Sequence, residues 1–93
     1  MPSFSPAISI FQSVGIGSVD QITFTGTGSN FWIANRGAVD LWFRLDGTNP
    51  AASADGSHLL LAGQDRALPD PTGNREIRLT AGAATCLYAV ELL

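Results

Sequence analysis

His58 is the only imidazole in the chain, and it follows two hydroxyls in the segment SADGSHLLL, Ser53 and Ser57. A serine beside a histidine is the minimal nucleophile and base. Hydrolysis by that route also needs a third group to orient the imidazole and a sharp turn to present the hydroxyl. No G-x-S-x-G elbow surrounds either serine, and no orienting carboxylate pattern accompanies them. His58 therefore reads as a capping or packing residue at the start of an apolar strand. Asp46, Asn49 and Asp55 gather oxygen ligands in one loop, DGTNPAASADG, but their spacing matches no calcium loop. Asp46 and Asp55 each precede glycine, which is ordinary turn chemistry and makes Asp46–Gly47 an expected turn. Cys86, the one cysteine, excludes an intrachain disulfide and a thiolate zinc site. It alternates with Tyr88, Val90 and Leu92, the pattern of a core residue rather than a reactive thiol. Paired carboxylates for glycoside hydrolysis would need a deep cleft, for which a domain this small has little room. The expectation is a protein that is not an enzyme, with no catalytic, cofactor or metal site.

Composition narrows the remaining classes. Ninety-three residues make one domain. The hydrophobic fraction is 45% and the charged fraction only 14%, where a solvated monomer usually carries about a quarter charged residues. Part of the surface is thus expected to lie against partners. The net charge is −3, with no lysine and no cluster of arginine, so phosphate-driven binding of nucleic acid is not expected. The start, MPSFSPAISIF, has neither a basic leader nor a long apolar run, which points away from a signal peptide and a membrane span and toward folding in a cytoplasm.

Helical spacing is absent, and Gly or Pro interrupts nearly every candidate window. Short alternating runs recur instead: 7–12, 19–25, 30–34, 39–45, 57–62, 65–68, 76–80 and 85–92. Eight short strands separated by glycine-bearing turns predict an all-β domain, a small antiparallel β-sandwich or jelly-roll-like barrel over residues 7–93. Residues 1–6, with two prolines, are expected to form an extended amino-terminal segment able to reach a neighbour.

The run NFWIANRGAVDLWFRLDGT holds both tryptophans. Read as a hairpin with a three-residue loop, Asn35-Arg36-Gly37, it places Gly37 in a left-handed bulge and pairs Ile33 with Val39 and Phe31 with Leu41. That register gathers the aliphatic residues on one face. Trp32 and Trp42 then share the opposite face with Asp40 and Arg44, a mixture of aromatic and arginine side chains enriched at protein interfaces. A neighbouring subunit is expected to cover this face, making Trp32, Asp40, Trp42 and Arg44 an interface; the loop 46–56 of the same chain and, last, a sugar stacked on the rings are the alternatives.

The same run, with HLLLAGQ and GAATCLYAVEL after it, resembles small structural proteins of tailed-bacteriophage virions. Shared elements are an N-x-G turn, a strand ending in R-x-D-G-T, an apolar strand leading to G-Q, and a Gly-Ala turn before the last strand. The resemblance covers residues 30–93. It implies a β-sandwich or jelly-roll protein of the virion, assembled in the host cytoplasm. Head decoration, or cement, is the first expectation: a homo-oligomer bound to the major capsid protein or other virion subunits, with no nucleic acid or membrane partner. A tail or connector component, or a carbohydrate- or receptor-binding module of the virion, is the alternative.

Overall fold

The computed structural model describes residues 2–93. Its nine strands are β1 (Ser3–Phe4), β2 (Ser9–Val14), β3 (Asp20–Thr23), β4 (Asn30–Asn35), β5 (Leu41–Arg44), β6 (His58–Leu60), β7 (Asp65–Pro69), β8 (Glu76–Ala81) and β9 (Cys86–Leu92). No helix occurs among the described residues. Two sheets form, one ordered β1-β3-β8-β5-β6 and the other β2-β9-β4-β7. Except for the β5–β6 hairpin, successive strands from β2 onward change sheet at every step, which is the winding of a jelly roll.

All eight expected strands are present, and alternation explains how they pack. Phe31 and Ile33 of β4, Tyr88 and Val90 of β9, Leu41 and Phe43 of β5, and Ile77 and Leu79 of β8 are all fully buried. Each such side chain contributes roughly 1.5–3 kcal/mol of transfer free energy, so the shared interior holds the sheets together. Two polar links cross it. The Tyr88 hydroxyl donates to Asp20 Oδ2 at 2.8 Å, joining β9 to β3. Burial raises the Asp20 carboxyl above its ordinary 3.8, with the Tyr88 bond opposing that shift. The second link is Asn35, 1% exposed. Its amide donates to the carbonyls of Val39 (2.8 Å) and Leu60 (2.9 Å). Its Oδ1 accepts from the Gly37 N–H at 2.9 Å and lies 3.2 Å from Cys86 Sγ. The side chain thereby uses both its donors and both acceptor lone pairs.

That joint overturns the predicted hairpin. β4 pairs with β7 and β9, whereas β5 pairs with β6 and β8 in the other sheet. The segment between β4 and β5 crosses from sheet to sheet. The inward sides of both strands follow the expected alternation, but they face one another across the core instead of lying side by side. Gly37 is also not left-handed. Positive φ among the glycines is found at Gly17, Gly47, Gly56, Gly63 and Gly73. Gly37 is required for another reason: a Cβ there would lie 2.7 Å from Cys86 Sγ and 3.0 Å from the Leu87 nitrogen. The expected turn at Asp46–Gly47 does form, with Gly47 at φ +80° and Asp46 Oδ1 accepting from the Thr48 N–H at 3.2 Å.

The amino-terminal segment is extended over Ser3–Phe4. It pairs in parallel with Gln21–Ile22 and forms an edge strand of the five-stranded sheet. Met1 lies outside the described residues.

Candidate functional site

Because β4 and β5 occupy different sheets, Trp32, Asp40, Trp42 and Arg44 do not form one patch. Trp42 and Arg44 project from the outer face of the five-stranded sheet, and Trp32 from the outer face of the other. Asp40 is exposed on the connection before β5, its carbonyl accepting from the Gly82 N–H at 2.9 Å.

The face that carries Trp42 is polar and tied down. Arg44 and Arg78 lie side by side in register, next to Gln21 of β3. Arg44 pairs with the Asp46 carboxylate and donates to the Asp55 carbonyl at 3.0 Å. Arg78 donates to Asn49 Oδ1 at 2.7 Å and to Glu76 Oε1 at 3.0 Å. These bonds fold the loop between β5 and β6 back onto the sheet and bury Pro50. The Trp42 indole packs near Gly82, where an added Cβ would lie 3.1 Å from Nε1. Of the three candidate oxygen ligands in this loop, Asp46 is engaged by Arg44 and Thr48 and Asn49 by Arg78, whereas Asp55 meets Arg44 through its backbone carbonyl. The Arg44 bond, followed by those from Thr48, holds the Asp46 carboxyl well below its ordinary range. Among the described residues no three His, Cys, Asp or Glu side chains gather as a metal site.

The other outer face is open. In register across it, Phe11 of β2 sits beside Ala89 of β9, which sits beside Ala34 of β4. Ser9, Glu91 and Trp32 make the neighbouring row. The small side chain of Ala89 leaves a trough between the rings of Phe11 and Trp32. It measures about 380 Å³ and is lined by Ser9, Ile10, Phe11, Trp32, Arg36, Ala89 and Glu91. Trp32 is fixed from one side, its Nε1 donating to Asp65 Oδ2 at 3.0 Å. The Arg36 guanidinium stands 6.0 Å from the ring centroid, within reach of a cation–π contact. Phe11 is 62% exposed and Leu87, nearby on β9, 45%. An aromatic pair flanked by one cation and one anion can stack a flat or apolar ligand face and hydrogen-bond its rim.

Of the residues singled out from the sequence, Trp32 alone lies in this trough. Phe11, Arg36 and Glu91 were not identified there. Phe11 had one available signal, since it falls out of step with Ile10 and Val14, which turn inward on the same strand. Cys86 is fully buried, and burial is the main cause that pushes its thiol pKa up. His58 stacks on Phe43 with ring centroids 5.1 Å apart.

No protein-family model matches the chain, and no curated protein matches it in sequence. Among solved structures, the crystal structure of PirA is similar, with a TM-score of 0.63 at 14% identity. The match covers 92% of this chain and 94% of that one. At that identity the likeness concerns the fold alone.

Proposed function

We propose that this chain is a structural protein of a tailed-phage virion, a head decoration protein that works by contact with neighbouring subunits. The observation that carries the reading is the exposed apolar surface on the four-stranded sheet. Phe11 stands 62% exposed in the middle of a regular strand, with Leu87 and Trp32 around it. A large aromatic held rigidly at the surface loses little side-chain entropy on docking, which is why such residues anchor interfaces. The resemblance of NRGAVDLWFRLDGT and the segments after it to small virion proteins supplies the context. On this reading the partners are the major capsid protein or other virion subunits, the protein self-associates, and it resides in the virion. Jelly rolls serve capsid and lectin domains alike, so the fold itself does not discriminate.

The test is co-sedimentation with expanded capsids that lack the protein. Phe11→Ala and Trp32→Ala should each weaken binding about 30-fold, equivalent to about 2 kcal/mol. Trp42→Ala should leave binding by the folded fraction unchanged. Loss of binding with Trp42→Ala alone would move the contact to the other sheet and end this assignment. Labelling the protein in intact particles by electron microscopy separates a head position from a tail or connector one.

A second reading, a carbohydrate- or receptor-binding module of the virion, is favoured by the trough between Phe11 and Trp32 with Arg36 and Glu91 on its rim. It requires binding to immobilised glycans in the absence of capsids, lost in Trp32→Ala.

A further inference from the structure

The two sheets have four edges, and three are guarded. β1 is two residues long and lies between Pro2 and Pro6. β6 is three residues long. β7 carries Asp65 and Arg66 and ends on Pro69. Short length, charge and proline are the devices that keep exposed edges from pairing with other chains. β2 has none of them. It is six residues long, SIFQSV, with no charge and no proline. It also lies at the end of its sheet, with β9 as its sole neighbour there.

Its hydrogen-bonding parity can be read from one contact. The Leu92 N–H donates to the Ile8 carbonyl at 2.7 Å, and the two strands run antiparallel with Ile10 opposite Val90 and Gln12 opposite Tyr88. The even-numbered residues of β2 therefore exchange bonds with β9. The odd-numbered ones, Ser9, Phe11 and Ser13, turn their N–H and C=O groups outward from the sheet edge. In agreement, the Ser13 N–H lies 3.4 Å from its neighbour's side-chain oxygen, Gln12 Oε1. Before Ser9 the edge is closed, because the Ala7 carbonyl accepts from the Gly26 N–H at 2.8 Å.

We infer that β2 pairs with β2 of a second copy of this chain about a twofold axis through Phe11. Antiparallel self-pairing keeps core and solvent faces consistent only when residues of the same parity oppose one another. With Phe11 opposite its own symmetry mate, Ser9 opposes Ser13 and Ser13 opposes Ser9. Every outward N–H and C=O of one strand then meets its counterpart on the other, the self-complementarity that a twofold interface demands. The electrostatics agree: the chain carries a net charge of −3, yet the paired strands bring no charged side chain face to face. The two four-stranded sheets become one continuous sheet, with the Phe11 rings adjacent at its centre and the apolar outer faces joined. The pairing does not rest on the capsid reading, although it would double the surface offered to one.

The test uses the isolated protein, so its failure leaves capsid binding untouched. Sedimentation equilibrium of the wild type should give twice the chain mass of 9.8 kDa. Phe11→Pro removes an N–H that faces the free edge and spares the ladder to β9, so this variant should sediment at half the wild-type mass with its far-ultraviolet dichroism unchanged. A Phe11→Cys variant supplies a readout that does not depend on that substitution folding. Opposed hydrogen-bonded positions stand about 5.5 Å apart at Cα, within disulfide range, so Phe11→Cys should cross-link under mild oxidation. Ser13→Cys, which faces Ser9 of the partner, should not. A monomeric wild type, or equal cross-linking at positions 11 and 13, would overturn the pairing.

Discussion

The two tryptophans stand on opposite outer faces of one sandwich, and the faces treat them differently. Around Trp42, two arginines draw the loop between β5 and β6 down onto the sheet through Asp46, Asn49 and Asp55. Around Trp32 the ring is held by Asp65 and Arg36, with Glu91 beside it, and Phe11 stays bare across the trough. Both rings are half-buried, but one lies on a face whose arginines hold a folded-back loop and the other on a face left open. The difference lies in whether charged neighbours recruit a loop, not in the tryptophan.

The largest expected effect tests what keeps the faces apart. Gly37→Val should lower stability by about 3 kcal/mol, because its side chain must displace Cys86 Sγ and the Leu87 backbone where the chain crosses between sheets. Chemical denaturation measures this, and a neutral result would mean that the crossover can yield. Next, Trp42→Ala should cost about 2 kcal/mol of stability, since it empties a half-buried site beside Gly82. Trp32→Ala should cost closer to 1 kcal/mol, chiefly its bond to Asp65 and its contacts with the sheet. Equal losses in paired thermal melts would erase the contrast between the faces.

The smallest effect concerns acid. The folded-state pKa of Asp46 is depressed, so its contribution is complete above the ordinary 3.8 and declines as pH falls toward the lowered value. Asp20 has the opposite sign. Its raised carboxyl contributes most below 3.8 and loses that contribution as pH rises through the folded value. In an acid titration followed by nuclear magnetic resonance, the Thr48 amide should therefore shift with a midpoint well below 3.8. The Trp32 indole signal should stay with its own face and not follow the Asp46 transition. A common midpoint for both would show that the loop and the open face move together.

Strand positions and inward faces were legible because alternation reports them directly: Phe31, Ile33, Leu41 and Phe43 all point where their spacing says. The partners of β4 and β5 were not legible, because alternation selects a face and says nothing about which strand lies alongside. Gly37 illustrates a second limit. One letter serves both a left-handed turn and a close approach, and only the position of Cys86 distinguishes them. β1 was invisible, since Ser3 and Phe4 between prolines show no period. The trough was half legible. Trp32 was visible as an aromatic off the core face, while Arg36 and Glu91 gain meaning only when β4 and β9 are seen side by side.

The bonding of β2 to β9 also has a consequence for how the chain is made. The second strand finds its partner only in the last of the nine, so closing that pair requires joining segments far apart along the chain. Such closures are slow, because the loop entropy must be lost before the contacts form. Until β9 emerges from the ribosome, the uncharged strand SIFQSV has no native neighbour. The segment most exposed to mispairing during synthesis is thus the one whose outer edge no other strand of its own chain covers after folding, and the interval before β9 arrives is when a chaperone would be of most use.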